Sequence, residues 1–266
     1  MRIPKGGIAF FDSGIGGLTV LSECAARLPN ERFYYFGDNR HAPYGNLSEK
    51  KIKKLVFRAF RKLVRLRVKA AVLACNTATA TCVEELRKKY PFPIVGAEPA
   101  ILSAARGGGE VFVLATAATC ASARFRALLS RVQKNFPAAS LRICPCTGLA
   151  GAIETHVKKN GLDGKTLPLQ SLLPQGSPDA VVLGCTHYIY IKKEIGDFYK
   201  ARVYDGNGGI AARLTSLLSP KSKEHEKSFA EEKAVANVKK PPVFFLGSQK
   251  RQNERVFEQM FVNIRK

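Results

Sequence analysis

The sequence predicts an α/β protein made of two similar parallel-sheet domains that face each other across a cleft, and three observations predict it. Two segments repeat 110 residues apart, AAVLACNTAT at 70–79 and AVVLGCTHYI at 180–189, sharing alanine, valine, leucine and cysteine in register. Each is a run of small and β-branched residues without polar alternation, the pattern of a parallel strand buried on both faces. Strand-like and helix-like stretches also alternate along the chain, as they do in βαβ units.

The elements follow in order. Residues 6–11, GGIAFF, form a first strand that runs into Asp12-Ser13-Gly14-Ile15-Gly16-Gly17. Glycines in such a turn let backbone N–H groups approach an anion at the next helix's N-terminus. Thr19 stands where a dinucleotide fingerprint would place its third glycine, so a small carboxylate or phosphate is the expected guest. Residues 32–36 form a second strand, followed by a loop in which Pro43 and Gly45 bracket Tyr44. Ser48 caps a helix carrying Ile52, Leu55, Val56, Ala59, Phe60, Leu63 and Val64 at helical spacing. That helix feeds the Cys75 strand. A helix over 79–90 ends at Pro91-Phe92-Pro93, and a short strand at 94–95 leads to the domain crossing near Glu98.

The second half restates the first. A glycine turn at 107–109 precedes a strand at 111–115, and Thr116-Ala117-Ala118-Thr119 opens a helix through about Val132. A strand at 141–144 and a helix at 149–158 lead to the Cys185 strand, and a further strand at 202–204 to a helix at about 210–218. From 220 to 242 the composition turns to Lys, Glu and Ser, as in a mobile surface insertion. A last strand at 243–246 and a helix at 253–264 complete the chain.

With 266 residues, 45% apolar and 24% charged, the chain has ample core for two such domains. Its seven cysteines form an odd set without disulfide-scaffold density, which fits a reducing cytoplasm. The N-terminal apolar stretch is broken at Asp12, too soon for a signal peptide, and no uninterrupted apolar run reaches the roughly 18 residues of a membrane span. The expectation is a cytoplasmic protein with no membrane partner. Net charge is +22, and residues 50–69 hold ten Lys or Arg with Glu49 the one neighbouring acid. Such a surface attracts polyanions without a specific site, but the chain carries no DNA- or RNA-binding signature, so a nucleic-acid partner stays an unsupported alternative.

The chemistry rests on Cys75 and Cys185. One cysteine alone is more commonly a buried apolar side chain. Two at the ends of matching strands, each followed by hydrogen-bonding residues, sit where parallel sheets bind ligands. Two thiols meeting across a cleft take a proton from one face of a carbon and return one to the other. His187 is placed to assist Cys185, and Asp12 to assist Cys75. Asn76, Thr77, Thr186, Ser13 and the glycine-turn N–H groups supply donors for a carboxylate and for developing charge. No residue cluster has metal-ligand spacing, the lone Cys144-Pro145-Cys146 reads as packing, and no lysine stands in a pyridoxal-phosphate context. The expectation is no metal and no cofactor.

Six short segments in order carry a family resemblance: FFDSGIGGLTV from Phe10, GDNRHAPYG from Gly37, ACNTAT from Ala74, GAEPA from Gly96, TAATCAS from Thr116 and GCTH from Gly184. Over nearly its whole length the chain resembles the cofactor-independent aspartate/glutamate racemase superfamily, and within it the glutamate racemases. The resemblance implies two α/β domains, residues 1–97 rejoined by 207–266 and residues 98–206, with the site between them. It implies interconversion of L- and D-glutamate, supplying D-glutamate for peptidoglycan, and a homodimer. By motif match Cys75 and Cys185 are the acid/base thiols, tuned or assisted by Asp12 and His187. Asp12, Ser13, Tyr44, Gly45, Asn76, Thr77, Thr119, Thr186 and His187 bind the amino acid, with Glu98 close by. An aspartate or hydantoin racemase is the alternative, and the DSGIGG and PYG segments favour glutamate. Three positions depart from the pattern: Tyr188-Ile189-Tyr190 replaces a proline-containing run, Phe125 a tyrosine, and Gly206 a serine.

Overall fold

Burial on both faces explains the first strand, β1 (Ile8–Asp12), in which every residue is inaccessible. In the computed structural model, which describes residues 6–162, 167–218 and 240–264, the glycine turn after it leads to α1 (Gly17–Arg27). Next come β2 (Phe33–Gly37), α2 (Glu49–Val64), β3 (Ala70–Leu73), α3 (Asn76–Lys89) and β4 (Ile94–Gly96). The chain then continues through α4 (Ile101–Ala105), β5 (Gly109–Ala115), α5 (Ala117–Cys120), α6 (Ala123–Asn135), β6 (Ala139–Pro145), α7 (Leu149–Asn160) and α8 (Leu169–Leu172). β7 (Ala180–Leu183), α9 (Lys192–Tyr199), β8 (Arg202–Tyr204), α10 (Asn207–Leu218), β9 (Val243–Leu246) and α11 (Lys250–Ile264) follow.

The strands make two parallel sheets, ordered β4-β3-β1-β2-β9 and β6-β5-β7-β8. Numbered within its own half, each sheet has its first four strands in the order fourth, third, first, second, so the repeat seen in the sequence is a repeat of topology. In both halves the cysteine follows the third strand, beside the first: β3 pairs with β1, and β7 with β5. The chain returns to the first sheet at its end. α10 packs on α1, and β9 pairs parallel to β2 in the register Phe33 with Val243.

Each sheet is covered on both faces. Ala9 and Phe11 pack towards α2 and α3, and Val111 and Val113 towards α4 and α6. Ile8 and Phe10 of β1 share one large core with Phe112 and Leu114 of β5, so the two sheets are joined through apolar packing. α2 has the amphipathic form the spacing predicts: Ile52, Leu55, Val56, Ala59, Phe60 and Leu63 are buried, and Lys50, Lys51, Lys54, Arg58, Arg61 and Lys62 are exposed. Ser48 Oγ accepts the Lys51 N–H at 3.4 Å, capping it as expected.

Some local expectations change. The helix expected through 116–132 is two helices, because Thr116 caps α5 and Ser122 then caps α6 by accepting the Phe125 N–H. α3 starts three residues earlier than its pattern suggests, because a cysteine acts as its cap. α4, α8 and α9 carry too few periodic residues to be read from sequence. The charged stretch at 220–242 lies outside the described residues except for its last three positions. Among the described residues no helix is long and apolar enough to cross a membrane.

Candidate active site

Cys75 occupies the N-cap of α3. Its backbone is extended, and Sγ accepts the Ala78 N–H at 3.5 Å, the place where Ser, Thr, Asp or Asn usually stands. Its S–H points to Ser13 Oγ, 3.6 Å away. Burial pushes the Cys75 thiol up to about 12; Asp12 and Cys185 add to the rise, while Ala78 N–H and Ser13 oppose it. Cys75 is therefore a protonated thiol at neutral pH, ready to donate. Since the thiolate is the nucleophile, alkylation of Cys75 by iodoacetamide should rise about tenfold per pH unit from pH 7 to 10 without a plateau. Peptide-resolved mass spectrometry reads this out, and a plateau near pH 8 would contradict it.

Cys185 follows β7 and precedes a 3₁₀ turn, Thr186–Ile191. Sγ lies 3.9 Å from His187 Nδ1, and His187 Nε2 meets Glu154 Oε2 at 2.5 Å. Burial opposes a charge on His187, yet hydrogen bonds to Cys185 and Glu154 hold its pKa well above the usual histidine value. Burial likewise opposes a charge on Glu154, but His187 and Lys158 bring its pKa down to about 2. Lys158 Nζ closes on Glu154 Oε1 at 2.7 Å, one helical turn along α7. The Cys185 thiol thus faces an imidazolium whose charge is matched by a buried carboxylate.

The glycine turn brings the two halves together. A Cβ at Gly14 would fall 2.4 Å from Glu154 Oε2, and one at Gly16 would fall 2.4 Å from Thr186 Oγ1 and 2.7 Å from His187 Nδ1. Any larger residue at either position would have to push these side chains back. Two of the turn's N–H groups take carboxylates of the protein itself: Gly14 N–H donates to Asp12 Oδ1 at 2.8 Å and Ile15 N–H to Glu154 Oε2 at 3.2 Å. Asp12, fully buried, also accepts from Thr186 Oγ1 at 3.2 Å. Burial raises its pKa above the ordinary carboxylate range, with His187 and the Gly14 N–H opposing. Tyr35 and Tyr190 hold the turn from either side, donating to the Gly14 and Ile15 carbonyls, each at 2.8 Å.

The other expected residues divide. Thr77, Thr116 and Thr119 join their hydroxyls at 2.9 to 3.2 Å, a buried cluster linking the Cys75 helix to the end of β5. Asn76 Oδ1 is buried with no hydrogen-bond partner among the described residues. Tyr44 is buried beside Phe11, with its hydroxyl donating to Asp38 Oδ2 at 2.7 Å, and Gly45 lies against Thr116. Glu98 lines one cavity with Asn76 and Thr119, and its carboxylate pairs with Arg124 at 3.2 Å and Arg131 at 2.7 Å. Cys144 and Cys146 are buried in the shared core. Sequence reasoning missed Glu154 and its partners Lys158 and Asn39. An acid between Ala150 and Val157 on the buried face of α7 is the signal that was available.

Comparison with known proteins places the chain in a family. A family profile described as Asp/Glu/Hydantoin racemase matches residues 20–214. The chain is 41% identical over 224 residues to the glutamate racemase of Clostridium novyi, covering 82% of this chain and 85% of that one. It is 40% identical over 229 residues to the glutamate racemase of Pseudomonas aeruginosa, covering 84% and 85%. Among solved structures, Escherichia coli glutamate racemase in complex with L-glutamate and an activator, UDP-MurNAc-Ala, superposes with a TM-score of 0.74 at 29% identity, covering 96% of this chain and 95% of that one. Glutamate racemase from Francisella tularensis, in complex with D-glutamate, gives 0.70 at 26% identity, covering 96% and 94%.

Proposed function

We propose, since this chain belongs to the Asp/Glu/Hydantoin racemase family, that it interconverts L- and D-glutamate by proton transfer between two cysteines, supplying D-glutamate for peptidoglycan. The observation that carries the reading is the pair of buried cysteines, each at the carboxyl end of the topologically equivalent third strand of its sheet. One sulfur, as thiolate, takes the α-proton, and the other, as thiol, delivers a proton to the opposite face. A turnover consumes no net proton and leaves the two sulfurs with exchanged protonation states.

The α-proton of an amino acid is far less acidic than a thiol, so the developing carbanion needs stabilisation by pre-organised donors. Ser13, Thr77, Thr119 and Thr186 are the hydroxyls the family motif assigns to the amino acid, and the orphan Asn76 Oδ1 is an acceptor suited to its ammonium group. Asp12 and the His187–Glu154 pair sit beside the sulfurs as proton-handling neighbours. The same reading divides the chain into 1–97 with 207–266 and 98–206, supported by α10 packing on α1 and β9 pairing with β2.

The test is circular dichroism of L-glutamate, then L-aspartate, incubated with the purified protein in deuterium oxide without added cofactor. Decay of the glutamate signal with α-deuterium uptake is expected, because S–H groups exchange with solvent. Decay with aspartate instead would move the substrate within the family. Silence with both would overturn racemisation of either amino acid.

A further inference from the structure

We propose that Asn253 is a positioning residue for the Cys185 half of the reaction, an assignment that rests on the racemase reading above. Asn253 lies on α11 and is fully buried. Its helix neighbours Val256, Phe257 and Phe261 are buried and apolar, so an amide in that stripe is out of place on packing grounds alone. A buried carboxamide costs about 1–3 kcal/mol unless its hydrogen bonds are made.

They are made with Asn39, 214 residues away in sequence. Asn253 Nδ2 donates to Asn39 Oδ1 at 3.0 Å, and Asn39 Nδ2 donates back to Asn253 Oδ1 at 3.1 Å. Gly37 leaves room for this pair: a Cβ there would fall 2.7 Å from Asn39 Oδ1 and 2.8 Å from Asn253 Nδ2. Two reciprocal bonds fix the plane of the Asn39 amide, and its remaining N–H then points to Glu154 Oε1 at 3.4 Å. Glu154 Oε2 holds His187 Nε2, and His187 Nδ1 faces Cys185 Sγ. The chain of side chains runs unbroken from the last helix to one sulfur.

Lys158 also binds Glu154, but an ammonium rotates freely and sets no plane. The fixed donors to Glu154 are the Ile15 N–H and the Asn39 amide. Together they set the carboxylate's tilt, and hence the angle at which the imidazole meets Sγ. Among the described residues no such hydrogen-bonded chain reaches Cys75, whose hydrogen-bond partners are Ser13 and Ala78. Asn253 therefore acts on one of the two proton transfers.

Enantiomers have equal free energy in water, so kcat/KM must fall equally in both directions in any variant. The asymmetry shows in isotope effects. In Asn253→Leu, which keeps side-chain bulk and removes both bonds, kcat/KM should fall about tenfold. With α-deuterated glutamate the isotope effect should rise for the enantiomer deprotonated by Cys185 and fall for the other. Asn39→Leu should do the same, and the double variant should be no worse than either single one. Isotope effects are ratios and do not depend on how much protein is folded. Should Asn253→Leu not fold at all, Asn253→Asp, which keeps the acceptor for Asn39, should show the same asymmetry to a smaller degree. A wild-type enzyme that racemises glutamate beside variants with unchanged isotope effects would overturn this assignment alone. A wild-type protein without racemase activity would overturn the reading it rests on.

Discussion

Replacing Cys75 or Cys185 by alanine should each lower glutamate racemisation by at least about 10³-fold, within the range ascribed to a positioned acid or base. In the proposed mechanism each sulfur performs one of two obligatory proton transfers, and neither has a substitute on its own face of the substrate. Ala78 N–H and Ser13 beside Cys75 are donors or weak acids, and His187 lies behind Cys185 in contact with Glu154. The fold should survive, since alanine is already the residue before Cys75 and fits both strand ends. The check is polarimetry beside far-ultraviolet circular dichroism. A variant that stays folded and within tenfold of wild type would remove the two-thiol mechanism. Because the step at the altered sulfur fails in both directions, neither single variant should favour one enantiomer at steady state.

The second large effect concerns stability. Glu154→Ala should destabilise the protein by about 3–5 kcal/mol, the usual consequence of removing one partner of a buried ion pair. It strands the His187 imidazolium and leaves the Ile15 and Asn39 N–H groups without their acceptor. The pH dependence follows from both shifts. The Glu154 pKa falls from its ordinary 4.5 to about 2, so its stabilisation is fully present above about 4.5 and is lost as pH drops towards 2. His187 is raised well above its ordinary 6.5, so its contribution is fully present below 6.5 and is lost as pH climbs through the folded value. The stability gap between wild type and variant should be widest between about pH 4.5 and 6.5 and narrow on either side. Denaturant midpoints from pH 3 to 9 measure it, and a gap that grows steadily with pH would contradict the pair.

Much of the architecture is legible in the sequence because duplication leaves a mark that burial preserves. The β3 and β7 segments must be apolar on both faces, and both must end in a cysteine followed by hydrogen-bonding residues, so the repeat survives at 110 residues. Asp12, His187 and the glycine turn are legible for the same reason, lying at strand ends with chemically marked neighbours. What the glycines do is less legible. They suggest a bound anion, and the turn also places Gly14 and Gly16 where Glu154, Thr186 and His187 press against them. Glu154 itself is a single acid in an ordinary helix, and its role exists only once α7 is packed on the Cys185 turn. The Asn39–Asn253 pair has no local signature, since neither residue departs from a normal loop or helix composition. Glu98 is marked by its motif neighbours, and the hold of two arginines on α6 on its carboxylate is what no local pattern signals.

The shared strand order of the two sheets bears on how the enzyme carries one turnover into the next. A planar carbanion has no handedness, and two sulfurs offered by matching halves treat its two faces almost alike. The neighbours of those sulfurs do not match: Cys75 has a hydroxyl and a backbone N–H, while Cys185 has an imidazolium. Under the proposed two-thiol mechanism the protein released after converting one enantiomer is a chemically distinct form from the one that began, and it is set to run the reaction backwards. Under the same mechanism sustained one-way conversion requires the spare proton to relocate between turnovers, so the free enzyme keeps a brief memory of the last substrate it processed.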